Sequence, residues 1–312
     1  ARAREGQGRA RHFKKSRGVL FTTRQVAFNF IYENKYTFRL ENMCRVLKVS
    51  RSGYYAFLRR PESTRNRSNA KLLNKIKEIF ERSKQRYGFR RITAELHFLG
   101  FKCSKERVRR LMKKHNIRAK YRNKFKRTTN SNHKQPVAEN LVNMDFDPKE
   151  LNRLWAGDIT YIWTREGWLY LSVILDLCSR RVISWKADKT MTETLVTETL
   201  SKAISFRKPD KGLIHHSDRG SQYASLKLRN ILKENNINQS MSSKGNCYDN
   251  AAVESFFATL KKELIYRNYF YTREEAKQQI FEYIEIFYNR YRRHSKLNYL
   301  SPVQFENLNN HS

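Results

Sequence analysis

Apolar positions between residues 24 and 58 recur at helical spacing and are interrupted at Val49-Ser50. Met43, Val46 and Leu47 lead in, and Ser50 offers a cap ahead of Tyr54, Tyr55 and Leu58, so a helix, a turn and a helix are predicted. Pro61 closes this unit, and the polar run at 62–69 reads as a linker. A second stripe follows at Leu72, Leu73, Ile76, Ile79 and Phe80. Helical segments at 92–99 and 106–115 then flank a turn at Gly100, with Ser104 placed to cap the last one, again a helix-turn-helix pattern. From Leu154 the pattern changes to alternation. Residues 154–163, 168–176 and 181–186 are three strand candidates joined by short turns. A helix at 192–205, a strand at 212–216, a helix at 225–235, a short strand at 237–241 and a helix at 251–264 follow, with a further amphipathic helix at 276–291. The order β-β-β-α-β-α-β-α predicts an α/β fold, a mixed sheet flanked by helices and preceded by small all-α units.

Composition narrows the class. A chain of 312 residues has the length of roughly two domains. Its 39% hydrophobic content is enough to bury cores, which excludes a disordered polyelectrolyte. Lysine and arginine number 64 against 29 acids, a formal charge of +35, and the excess is uneven: residues 1–150 carry 40 basic and 12 acidic side chains, residues 151–312 carry 24 and 17. A net +28 on one half calls for a polyanionic partner, nucleic acid first. No run approaches 18 apolar residues and residues 1–17 have no signal-peptide core, so neither membrane insertion nor secretion is expected. Cys44, Cys103, Cys178 and Cys247 never form a C-x-x-C pair, which fits a reducing cytoplasm better than a disulfide or zinc framework. Residues 1–20 are rich in Arg and Gly, and the chain does not begin with Met; the start reads as a flexible basic tail or part of something longer.

The positive charge has structure. The second helix of the second unit carries Arg107, Arg109, Arg110, Lys113 and Lys114, suited to a major groove or a row of phosphates, or else an exposed face of a plain bundle. Residues 120–136 interleave Lys124, Lys126 and Arg127 with Tyr121 and Phe125, the make-up of a linker that tracks a phosphate backbone.

Three acids stand out by position. Asp158 falls inside the first strand, where an unpaired charge is costly. Asp218 lies just past the fourth strand, where open-sheet sites gather, and Glu254 is in the first turn of the following helix. Taken singly, each has a structural explanation: a satisfied strand acid, a turn residue, a first-turn glutamate favoured by the helix dipole. Taken together, they are hard oxygen donors suited to Mg2+ or Mn2+, and two such ions about 4 Å apart serve phosphoryl displacement. Asp176, ending the second strand, and Asp249, placed as a helix cap, read as structural acids.

The motifs around these acids carry a resemblance. DITYI surrounds Asp158, HSDRGSQY holds Asp218, and NCYDNAAVESFFATLKKE holds Glu254 after an interval of 35 residues. MCRVLKVSRSGYYAFL, KEIFERSKQRYGFRRITAEL and YNRYRRHSKLNYLSPVQF extend the likeness from about residue 24 to 305. The chain resembles the DDE transposases and retroviral-type integrases, and more narrowly the catalytic product of bacterial insertion sequences whose two reading frames are joined by programmed frameshifting, the copy-out and paste-in type.

The resemblance implies an RNase H-like core at 151–270 with Asp158, Asp218 and Glu254 as catalytic and metal-binding triad, two Mg2+ or Mn2+ ions per site, and cleavage followed by strand transfer. It implies double-stranded DNA as partner, both the element's terminal inverted repeats and a target, a homo-oligomer in a synaptic complex, and a bacterial cytoplasm with the nucleoid as setting. Lys261, seven residues after Glu254, projects from the same helix face about 10 Å away and matches a DNA-contacting position of the family. His216 and Arg219, flanking Asp218, are candidates to touch phosphate or to orient the carboxylate. Tyr248, Asn250 and Asn246 form a polar loop entering the catalytic helix, and Tyr288, Asn289, Arg292 and His294 match a terminal motif suited to packing. The expected layout is a tail at 1–23, helical units at 24–61 and 62–119, a basic linker at 120–150, the core, and a helical extension at 271–312. Family members usually act as a longer fusion with an upstream leucine zipper, and no sustained heptad precedes Arg24. A non-catalytic regulator with the same helical units and a structure-selective nuclease on the same core are the alternatives.

Overall fold

Ser50, Ser104 and Ser225 each accept a hydrogen bond from the backbone N–H three residues on, at 3.0, 3.2 and 3.3 Å, and each starts a helix. The computed structural model describes residues 23–61, 63–120, 138–142, 147–242 and 251–309. Helices α1 (Arg24–Glu33), α2 (Leu40–Leu47) and α3 (Arg51–Arg59) enclose a small core of Ile31, Met43, Cys44 and Tyr54. The polar run expected to be a linker is instead the start of α4 (Thr64–Arg82). Ser63 accepts from the Asn66 N–H at 3.1 Å, and residues 64–71 contain neither Gly nor Pro, so a polar, solvated first half extends the helix without resistance.

The chain divides into two compact units within α4, one ending at Leu72 and the other starting at Leu73. The second unit therefore holds more than the sheet. It includes the end of α4, then α5 (Phe89–Phe98) and α6 (Lys105–Lys114), which meet at a turn where Gly100 adopts φ +81°. These helices, expected to form a unit of their own, belong to the same body as the sheet.

Strands β1 (Leu154–Thr164), β2 (Gly167–Asp176), β3 (Val182–Asp188), β4 (Ile214–Ser217) and β5 (Asn238–Met241) form one sheet in the order β3-β2-β1-β4-β5. β1 pairs antiparallel with β2 and parallel with β4, and β4 pairs parallel with β5. Helices α7 (Glu193–Arg207) and α8 (Leu226–Glu234) cover one face around Trp155, Ile174, Leu200 and Leu228. Helix α9 (Ala251–Glu263) and the carboxyl-terminal helices cover the other, around Ala156, Val173, Phe256 and Leu260. This is an RNase H-like mixed sheet. Asp176 is buried and accepts the backbone N–H groups of Asn152, Cys178 and Ser179, a structural acid as expected.

The single helix expected at 276–291 is two elements. Helix α10 (Arg273–Phe281) passes into a π-helical stretch, Glu282–Tyr291, in which hydrogen bonds reach five residues back; the Arg292 N–H donates to the Phe287 carbonyl at 2.7 Å. The wider turn brings residues five apart onto one face, so Tyr283 and Tyr288, and Ile284 and Asn289, are all buried. Asn289 then hydrogen-bonds both backbone groups of Val182 on β3, at 3.1 and 2.9 Å. A last helix, α11 (Pro302–Asn309), ends the described chain. Among the described residues no helix is long and apolar enough to cross a membrane, and Cys44, Cys103 and Cys178 are free thiols.

Buried ion clusters fasten the helical segment to this terminal region. Glu263, at the end of α9, accepts from Arg292 at 2.9 to 3.2 Å, from Arg91 of α5 at 3.3 Å and from the Tyr283 hydroxyl at 2.9 Å. Glu95 of α5 holds Arg82 at 2.5 Å and Arg293 at 2.7 Å, and the Tyr87 hydroxyl donates to the Tyr291 carbonyl at 3.0 Å. Burial pushes the Glu263 carboxyl up, and the charge and hydrogen bonds of Arg292 together with Arg91 and the Tyr283 hydroxyl more than offset it, leaving the group below its ordinary range. A Glu263→Gln chain leaves Arg292 buried without its counter-charge, and the expected loss is about 3–5 kcal/mol in urea unfolding; an unchanged midpoint would show that the cluster does not fasten the fold.

Candidate active site

Register places the first two acids. β1 and β4 run parallel with Leu154↔Ile214, Trp155↔His215, Ala156↔His216 and Gly157↔Ser217 opposite one another. The next step along each chain is Asp158 and Asp218, on strands separated by about 4.8 Å. Alternation gives Asp158 the face of Ala156, which is the face that α9 covers. On α9, Val253, Phe256, Phe257 and Leu260 are buried against the sheet; Glu254 flanks that stripe in the first turn and stays exposed, while Lys261 is half-buried.

These groups share one electrostatic neighbourhood. The Asp158 carboxyl is pushed well above the usual carboxylate range, first by loss of solvation, then by the neighbouring charge of Asp218 and more weakly by that of Glu254. Lys261 and a 2.7 Å hydrogen bond from the Ile159 N–H act in the opposite sense without prevailing. Asp218 accepts from the Gly220 N–H at 2.9 Å. Two convergent acids that repel each other, with hard oxygens and one lysine nearby, fit a divalent cation better than they fit each other. Among the described residues no three or more His, Cys, Asp or Glu side chains stand at metal-binding spacing. Asp158 and Asp218 stand side by side, whereas Glu254 is exposed in the first turn of α9 and reaches Asp158 only as a weaker charge through space.

The supporting residues were less legible. His215 fills the notch left by the absent side chain at Gly157: a Cβ there would lie 3.0 Å from the His215 Nε2 and 3.5 Å from the Tyr223 ring. Tyr223 is buried, and its phenol is pushed up first by burial and then by Asp158 and Asp218. The Gly157-Asp158 and His215-His216 dipeptides were the only sequence signals of this packing. His216, a candidate to touch phosphate or to orient the Asp218 carboxylate, has both ring nitrogens directed at serine hydroxyls. It is fully buried, with Nδ1 2.9 Å from the Ser240 hydroxyl and Nε2 3.3 Å from that of Ser242, because its strand position points it into the sheet's α9 side. Arg219 donates from Nε to the Ser242 carbonyl at 2.6 Å and is half-buried, tying the end of β4 to the end of β5. Lys261 lies 5.4 Å from the Tyr161 ring centre.

On α6, Arg109, Arg110, Lys113 and Lys114 are exposed, with Arg109 paired to Glu106 at 2.8 Å, and Arg107 is half-buried. Lys124, Lys126, Arg127, Asn246, Tyr248, Asp249 and Asn250 lie outside the described residues. In the terminal motif, Tyr288 packs edge-on against Phe256 and His294, and Arg292 holds Glu263, so these residues pack and orient as expected.

The sequence matches two families described as integrase core domains, over residues 148–247 and 254–309, and a family described as an HTH-like domain over residues 67–125. It is 45% identical over 282 residues, 90% of this chain and 98% of the other, to the transposase InsF for insertion sequence IS3A of Escherichia coli strain K12. The chain belongs to the IS3-family transposases. The Shigella sonnei insertion element IS600 uncharacterized 31 kDa protein is 46% identical over 84% of this transposase and 97% of its own length. Among solved structures, the HTLV-2 integrase catalytic core domain in complex with magnesium covers 49% of the transposase and 95% of that chain, at 18% identity and a TM-score of 0.39.

Two outcomes follow from the notch. Gly157→Ala must displace His215 and shift Asp158 against Asp218, so transposition in a donor-plasmid assay should fall about tenfold or more, with protein level unchanged; full activity would show that the notch does not set the acids. Burial and the adjacent His216 push the His215 imidazole down to about 4. Between its ordinary 6.5 and about 4 the unfolded chain takes up a proton that the folded chain refuses, so stability falls as pH drops through that window and is flat above it. Urea midpoints from pH 7 to 4 should fall less steeply for His215→Gln than for the parent; parallel curves would reject the assignment.

Proposed function

We propose that this transposase cuts DNA at the ends of its insertion element and joins the freed 3′-hydroxyl to a second phosphodiester, with Asp158, Asp218 and Glu254 holding two Mg2+ or Mn2+ ions. The observation that carries the reading is the in-register placement of Asp158 beside Asp218, with the Asp158 carboxyl pushed up by its neighbour. Bound divalent ions would supply charge stabilisation to the attacking and leaving oxygens of an in-line displacement. The chain's own residues do the rest. Asp158 and Asp218, fixed by adjacent strands, keep the donor oxygens preorganised, and Glu254 completes the set from α9 when DNA draws that helix face into the site. Lys261, one helix face from Glu254, holds the phosphate backbone beside the acids. Exposed Arg109, Arg110, Lys113 and Lys114 on α6 engage double-stranded DNA, the element's terminal repeats and target alike, and two or more copies of the chain bring paired ends together.

In hydrolysis at the element end the water oxygen bonds to phosphorus and stays on the 5′-phosphate, while the displaced 3′-oxygen takes up a proton and becomes a 3′-hydroxyl; that hydroxyl then gives up its proton as it attacks a second phosphorus and displaces a 3′-oxygen there, so the number of phosphodiester bonds is conserved in the joining step. Asp158→Asn should reduce joining of pre-cleaved, 3′-OH-ended element DNA in Mg2+ or Mn2+ by at least about a hundredfold while leaving duplex binding intact. Retained joining would remove Asp158 from the centre. With the parent chain, cutting without joining would indicate a nuclease, and binding alone a regulator.

A further inference from the structure

The far half of the β1–β2 hairpin turns a set of aromatic side chains to solvent. Tyr161 lies directly opposite Tyr170 and Trp163 directly opposite Trp168, so all four share one face of the ribbon. The Trp168 ring stands edge-on to Tyr161 at 5.1 Å and 87°, and to Trp163 at 4.8 Å and 74°. Trp163 is 59% exposed and Trp168 43%. The hairpin's own burial is provided by the opposite face, where Ile162, Leu169 and Leu171 are inaccessible to solvent. Two tryptophans left in water beside a complete core indicate a surface that something else covers.

Cations border this surface. The Lys261 ammonium lies 5.4 Å from the Tyr161 ring and also within the field of the Asp158 carboxyl. At the hairpin's end the Arg165 guanidinium lies 4.4 Å from the Tyr271 ring, and Arg273 donates to the Trp168 carbonyl at 3.0 Å. Tyr161 is three residues from Asp158 along β1 and Trp163 five, or about 10 and 17 Å at strand rise. By alternation the odd-numbered Tyr161 and Trp163 project from the sheet face opposite to Asp158.

We propose that Trp163 and Trp168, with Tyr161, stack the unpaired bases of single-stranded DNA. Aromatic faces with interspersed cations bind single strands regardless of sequence, because every base has a π-face and every nucleotide a phosphate. A blunt duplex keeps its base faces stacked on one another and offers this surface only its backbone. The charge of the chain favours this occupant over a second copy of itself: at +35 like repels like, and DNA is attracted. The proposal does not draw on the reading of Asp158 and Asp218 as the reaction centre. The binding itself is independent of it.

The test uses the full chain without divalent ions, a single-stranded oligonucleotide of about 20 nucleotides, and the same sequence as a blunt duplex. The single strand should quench tryptophan emission, and Trp163→Ala should weaken its binding about tenfold. Trp163→Phe, which keeps a ring, should stay within about twofold of the parent, and all should bind the duplex alike. Trp163→Leu keeps apolar bulk without a π-face and should match Trp163→Ala, which covers the case in which the alanine chain fails to fold. Absence of quenching, equal weakening for both DNA forms, or a loss of self-association in place of a loss of single-strand binding would overturn the proposal. Asp158→Asn should bind the single strand like the parent, so a failure here is separable from a failure of the catalytic reading.

Discussion

The parallel pairing of β1 with β4, held from Leu154↔Ile214 to Gly157↔Ser217, sets two acids side by side at the point where β4 ends. A slip of one residue would put Asp218 on the opposite face from Asp158 and dissolve the pair. Several side chains act as keys against that slip. His215 fits only where position 157 has no Cβ, His216 is held between the hydroxyls of Ser240 and Ser242, and Arg219 grips the Ser242 carbonyl. Each key has its own lock on a neighbouring strand, so the register is specified across β1, β4 and β5 at once. The repulsion at Asp158 follows from this rigidity: the acids cannot move apart to relieve it.

A chain with 64 basic and 29 acidic residues has few acids to use, and their placement is informative. Among the described residues Glu95, Asp176, Glu263 and Glu306 are buried. Three of them hold two arginines each or more: Arg82 and Arg293 at Glu95, Arg91 and Arg292 at Glu263, Arg181 and Arg207 at Glu306. Such clusters add little net stability over apolar packing, yet removing one member is severe. Their effect is to fix position. They join α5, the π-helical stretch, α11 and the sheet edge at defined points, and they withdraw negative charge from the surface.

The alternation of β1 to β3, the serine caps and the turn at Gly100 were legible because each depends on residues close in sequence. The same holds for the placement of Asp158 within the first strand and of Asp218 just past the fourth, since both are local features. What the sequence hid is non-local. Arg91, Glu95, Arg292 and Arg293 look like ordinary solvated charges until the fold brings them together, so the second helical segment was read as separate from the core. His216 was read as touching phosphate or orienting the Asp218 carboxylate, and its burial between the Ser240 and Ser242 hydroxyls, which depends on β5, has no local signal. The π-helical stretch escaped because an apolar period of five is indistinguishable from an irregular period near four over ten residues.

Helix α9 links these two systems. It carries Glu254 in its first turn, Lys261 and Glu263 in its last, and Glu254 and Glu263 are nine residues or about 13.5 Å apart along the axis. Arg292 and Arg91 clamp Glu263, and Phe256 and Leu260 lie against the sheet, so α9 is held at its far end and along its buried face. Arg91 belongs to α5, the helix that precedes the exposed basic face of α6 across the Gly100 turn. One carboxylate, Glu263, is therefore common to the helix that presents the third acid and to the pair of helices expected to meet DNA.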